Sequence, residues 1–84
     1  MEMEANQHVE MLVFPNPAMD QLNLVAGASA QPLSSSIYDA AGRLLQSYGS
    51  QTVLDVSVLN EGVYVLKITT GEGVVSHSVM ITKK

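Results

Sequence analysis

Gly62-Val63-Tyr64-Val65-Leu66-Lys67-Ile68-Thr69 is the longest run of strand-favouring residues in the chain. β-Branched and aromatic side chains fit a pleated, half-buried surface, and successive side chains on a strand point to opposite faces. Tyr64, Leu66 and Ile68 therefore share one face, which is large and apolar and reads as the core face. Val63, Val65 and Lys67 share the other, which carries a charge and reads as outer or only partly covered. Thr70-Gly71-Glu72-Gly73 brings the glycines that a turn needs for positive φ, and Val74-Val75-Ser76-His77-Ser78-Val79-Met80-Ile81 follows. This order of strand, glycine loop and strand predicts a β-hairpin. Symmetric closure sets Ile68 opposite Val75, Leu66 opposite His77, Tyr64 opposite Val79 and Gly62 opposite Ile81. A slip of one residue would turn the second strand over. His77 is the one polar exception among the inward positions. In this register Val63, Val65 and Met80 lie together on the outer face. They are either covered by another element or exposed as a contact patch, and a small domain with little area to spare favours cover.

Upstream, the same period-2 reading continues in short pieces. Residues 1–8 form a polar, unpatterned leader, and 9–84 form one domain. Val9 to Phe14 predicts a first strand, with Val9, Met11 and Val13 on one side. Pro15-Asn16-Pro17 stops it, because two prolines remove two backbone donors and hold the preceding residues extended. That segment must be a corner or a connection between sheets. Gln21 to Val25 points Leu22 and Leu24 inward, and Ala26-Gly27-Ala28-Ser29-Ala30 reads as a loop. Leu33 to Tyr38 and Arg43 to Tyr48 form a hairpin across the turn Asp39-Ala40-Ala41-Gly42. Gln51 to Val56 alternates again, and Ser57 to Glu61 connects it to the long hairpin. About seven short strands separated by regular turn signals predict an all-β fold, an antiparallel β-sandwich.

Composition narrows the function. The chain has 84 residues, enough for one small domain that buries about 60% of its unfolded surface. It has no cysteine, so neither a disulfide framework nor a thiolate metal site supports it. Four basic against eight acidic residues argue against nucleic-acid binding, which needs cations to neutralise phosphate. No apolar run approaches the ~20 residues of a membrane helix, so membrane insertion is not expected. The acidic Met1-Glu2-Met3-Glu4 does not read as a signal peptide, so an export signal, if used, stands upstream.

No catalytic set assembles from the sequence. His8 falls in the leader, and Ser76 and Ser78 lie on the face opposite His77. His77 reads as a strand-edge histidine with one nitrogen in water. Asp20, Asp39, Asp55, Glu61 and Glu72 each sit in or beside a turn, where carboxylates accept backbone hydrogen bonds. No clustered spacing suits Ca²⁺, and Gly71-Glu72-Gly73 lacks the third glycine, lysine and helix of a phosphate loop. No enzyme activity, cofactor or metal is expected.

Four motifs, in order, carry a resemblance. They are Val13-Phe14-Pro15-Asn16-Pro17-Ala18 with Asp20-Gln21-Leu22; Ile37-Tyr38-Asp39 with Gly42-Arg43-Leu44-Leu45; Asp55-Val56-Ser57 with Leu59; and Gly62-Val63-Tyr64-Val65-Leu66-Lys67-Ile68. With a lysine-ending last strand, they resemble the C-terminal sorting domain of the type IX (Por) secretion system over Val13 to Lys84. The resemblance implies an immunoglobulin-like sandwich that directs a cargo protein across the outer membrane. Its implied partners are the outer-membrane translocon and a sortase-like surface peptidase that removes the domain and anchors the cargo. The implied location is the periplasm in transit, then the cell surface or the medium. The motif positions Pro15, Asn16, Pro17, Asp39, Gly42, Arg43, Gly62, Tyr64, Lys67, Met80, Ile81, Lys83 and Lys84 are the candidate recognition residues. The last strand, Val74 to Thr82, with the basic Lys83-Lys84 end, is the expected readable surface. Its edge can accept a partner strand or a second copy of the chain. The competing reading is an immunoglobulin-like carbohydrate-binding or adhesion module, which would use exposed aromatics such as Tyr48.

Overall fold

The computed structural model describes residues 11–26 and 31–83. Seven strands run in chain order: β1 (Met11–Phe14), β2 (Gln21–Ala26), β3 (Pro32–Tyr38), β4 (Leu44–Tyr48), β5 (Val53–Asp55), β6 (Gly62–Thr70) and β7 (Gly73–Ile81). They form two antiparallel sheets, one ordered β1-β2-β5 and the other β4-β3-β6-β7. The architecture is the all-β antiparallel sandwich that the strand pattern predicts, and it is consistent with the immunoglobulin-like form that the resemblance implies. Val9, the loop at 27–30, the leader and Lys84 lie outside the described residues.

The long hairpin has the expected register at every pair. Ile68 faces Val75, Leu66 faces His77, Tyr64 faces Val79 and Gly62 faces Ile81. The turn is tighter than the four residues of its sequence signal, because Thr70 and Gly73 already pair and only Gly71 and Glu72 lie outside the ladder. Gly73 takes the positive φ there, and the Thr70 hydroxyl accepts from the Glu72 N–H and donates to the Gly73 carbonyl. β6 then feeds the centre of its sheet, with β3 on its other side.

Alternation decides what enters the core. Leu22, Leu54, Ile37, Leu66, Ile68 and Ile81 are fully buried, and Met11, Ala18, Leu24, Val56, Val79, Tyr48 and Tyr64 complete one cluster between the sheets. Tyr48 and Tyr64 bury their rings yet keep their hydroxyls bonded. Tyr48 donates to the Asp55 carbonyl at 2.8 Å, and Tyr64 donates to the Asn60 carbonyl at 2.6 Å. A buried tyrosine needs such a partner, because an unmet hydroxyl costs free energy in an apolar setting. Burial, and then the nearby Asp55 charge, raise the Tyr48 phenol above its ordinary pKa.

Leu66 lies at the middle of the central strand pair with no exposed area. Leu66→Ala should destabilise the domain by about 2–5 kcal/mol, the range for deleting a buried leucine. In urea or guanidinium titrations the midpoint should fall while the slope stays constant.

Candidate recognition surface

Pro15-Asn16-Pro17 does two things at once. It joins β1 to β2 within one sheet, and it leans across to the edge of β7 in the other. Both prolines follow cis peptide bonds. Between them, the Asn16 side chain acts as one residue of a missing strand. Its Nδ2 donates to the Ser78 carbonyl at 3.1 Å, and its Oδ1 accepts from the Met80 N–H at 2.9 Å. The backbone of Ala18 takes over next. Its N–H donates to the Met80 carbonyl and its carbonyl accepts from the Thr82 N–H, both at 2.8 Å. Ala18, fully buried, forms a parallel bridge with Ile81. The lower half of the β7 edge, Ser78 to Thr82, is therefore clasped by the chain itself. The last strand, expected to offer an unpaired edge to a partner, is open only in part.

The clasp also absorbs the basic end. Lys83 Nζ donates to the Met19 and Ser57 carbonyls, each at 3.1 Å. Lys83 thus acts as an internal tie between two connections, where the sequence suggested a displayed charge. Asp55 lies in the same region. The hydroxyl and then the backbone N–H of Ser57 hold its carboxyl below the ordinary aspartate pKa, with help from Lys83. Lys84 lies outside the described residues.

A second group of candidate residues gathers on the outer face of the four-stranded sheet. The β3–β4 turn is built by Asp39, whose Oδ1 accepts from the Ala41 and Arg43 N–H groups at 3.0 and 2.8 Å. Gly42 supplies the turn's positive φ of 89°. Arg43 closes the turn with an exposed contact from Nε to Asp39 Oδ2 at 3.3 Å, of a kind that contributes little to stability. These bonds, led by the Arg43 backbone N–H, lower the Asp39 pKa. Beside the turn, the Lys67 ammonium sits 5.1 Å from the Tyr38 ring centre, a cation–π contact. Tyr38, Asp39, Ala40, Gly42, Val65 and Lys67 line an open depression of about 180 Å³. Asp39, Gly42 and Lys67 come from two separate sequence motifs, and the pairing of β3 with β6 brings them together.

The same face carries an apolar strip. Val63 pairs with Met80, Val65 with Tyr38, and Tyr38 with Leu44, so the strip crosses all four strands. Val63 and Met80 are about half exposed, at 51% and 46%. The cover expected over Val63 and Met80 is absent among the described residues, because both sheets already spend their inward faces on the shared core. Other candidate residues are enclosed by the fold or paired within it. Ile81 is fully buried, Tyr64 is nearly so, and Gly62 faces Ile81 without a positive φ. Tyr48 is buried too, so it offers no exposed ring to a glycan. His77 is half-buried, and its Nε2 is enclosed without a hydrogen-bond partner. That differs from a simple wet-edge histidine. Among the described residues, no group of three acidic or histidine side chains could hold a metal ion, and no helix is long and apolar enough to cross a membrane.

A model of the secretion system C-terminal sorting domain family matches residues 12–82. The chain belongs to this family. It is a C-terminal sorting signal of the type IX secretion system, and it interacts with that system's machinery. The protein that bears such a signal is secreted, to the cell surface or the extracellular space. The family is one of sorting signals and not of catalysts. Among solved structures, the crystal structure of CopC from Methylosinus trichosporium OB3b is similar in fold. Its TM-score is 0.55 at 21% identity, covering 92% of this chain and 94% of that one. No curated protein matches the sequence.

Asn16 shows what sequence reading misses. Its partners stand 62 and 64 residues away, and no local pattern announces them. Asn16→Ala should remove both side-chain bonds and destabilise the sorting domain by about 1–2 kcal/mol, since each bond contributes about 0.5–1.5 kcal/mol net. Chemical denaturation of the two proteins measures the difference.

Proposed function

We propose that this domain is read, as a folded module, by the outer-membrane translocon of the type IX system. The cargo reaches the periplasm first, and the domain then commits it to passage across the outer membrane. A sortase-like surface peptidase removes the domain upstream of β1 and joins the cargo to its surface anchor. The observation that carries this reading is the family match over residues 12–82, spanning all seven strands. The exposed strip from Met80 to Leu44, flanked by Lys67 over Tyr38, supports a contact role for the outer face. Exposed apolar groups of this kind commonly mark interaction sites. Of the motif positions, Asp39, Gly42, Arg43, Lys67 and Met80 then belong to or border the contact face. Pro15, Asn16, Pro17 and Lys83 hold the last strand in place beside it.

The test is a transplant. The whole chain is fused behind a Sec signal and a fluorescent reporter and expressed in a host with a working type IX system. Reporter at the surface or in the medium, lost when the translocon is deleted, is the expected result. Reporter held in the periplasm with the domain folded would contradict the proposal and reopen the adhesion reading.

A further inference from the structure

We propose that the open half of the β7 edge, Val74 to Ser78, is a docking site for one extended strand of a partner protein of the secretion machinery. The inference rests on the sorting role and adds the mode of contact. β7 ends its sheet and has β6 on one side only. In an antiparallel ladder, alternate residues turn both backbone groups toward the neighbour or away from it. Met80 turns its N–H and carbonyl away from β6, since Asn16 and Ala18 bond them. Counting back by twos, Val74, Ser76 and Ser78 face the same way. The Ser78 carbonyl is met by Asn16. The N–H and carbonyl groups of Val74 and Ser76, and the N–H of Ser78, have no partner among the described residues.

The window has defined ends. At one end stands the Asn16 amide, and at the other the Gly71-Glu72 turn. Five residues lie between, enough for one short strand at about 3.3 Å per residue. Natural edges are usually blunted by a charge, a proline or a bulge. This window has none: Val74-Val75-Ser76-His77-Ser78 has no lysine, arginine, carboxylate or proline, and its ladder with β6 runs without a register shift. The clasp protects the rest of the same edge, so the gap in protection is local. Val74, the first residue of the window, is 62% exposed. The net charge of −4 opposes a second copy as occupant. It favours a strand that is neutral or basic and supplied by another protein.

Strand addition reads backbone groups, so backbone and side chain separate in the test. In the full-chain reporter fusion, Ser76→Pro removes one outward N–H that the fold does not use. A proline is tolerated at such an edge position. Ser76→Ala removes only the hydroxyl. Purified Ser76→Pro should melt cooperatively near the parent temperature, while its surface delivery falls about ten-fold or more. Ser76→Ala should be delivered like the parent. If Ser76→Pro does not fold, Val74→Pro replaces it at the other outward N–H, with the same expectation. Folded proline variants delivered at the parent rate would overturn the window and leave the sorting role intact. Equal loss in folded Ser76→Ala would also overturn it, because the side chain would then be read. A dimer of the parent in sedimentation, broken by Ser76→Pro, would assign the edge to a second copy and overturn the partner strand. A parent fusion retained in the periplasm would overturn the sorting role, and this proposal with it.

Discussion

The contact between Pro15–Ala18 and the last strand holds together two sheets that share no backbone ladder. The sheets meet face to face only through side chains such as Leu22, Leu54, Leu66 and Ile81. Hydrophobic burial is strong but non-directional, so it does not by itself fix how one sheet is aligned along the other. Directional bonds supply that alignment. Two come from one asparagine side chain and two from one backbone residue, to β7 and to Thr82 just after it. Lys83 adds two more, to Met19 and Ser57. Each contributes modestly, about 0.5–1.5 kcal/mol, yet together they place β7 and close half of its edge.

That partial closure gives a sorting domain two properties that are otherwise in conflict. A domain of this size needs its strands paired to be stable, whereas a module that others must read needs accessible groups. The clasp meets the first need at Ser78 to Thr82, while Val74 and Ser76 keep their outward backbone groups unpaired among the described residues. The outer face contributes a different kind of accessibility. There Lys67 lies over Tyr38 while Val63 and Met80 remain half exposed. The sandwich is a scaffold, and a fold of this kind does not by itself assign a role.

Much of the fold is legible in the sequence because its decisive signals are local. The alternation of Tyr64, Leu66 and Ile68 and the glycine turn fix a register that the structure keeps at each pair. Asp39 and Gly42 likewise define their turn within a few residues. The clasp is illegible for the opposite reason. Asn16 and Lys83 look like ordinary polar surface residues, and their partners are distant in the chain. The outer face is misread for a third reason. Sequence gives which side chains share a face, but only packing shows whether anything covers it. Tyr48 illustrates the same limit: its strand position is evident, but its bond to the Asp55 carbonyl across the core is not.

One edge strand, β7, is divided into a clasped half and an open half. Residue-resolved amide hydrogen exchange of the free domain, followed by NMR, distinguishes the two. Slow exchange is expected at Met80 and Thr82, whose N–H groups bond Asn16 and Ala18, and fast exchange at Val74, Ser76 and Ser78. Met80 and Thr82 exchanging as fast as Val74 and Ser76, or all five protected alike, would contradict this division.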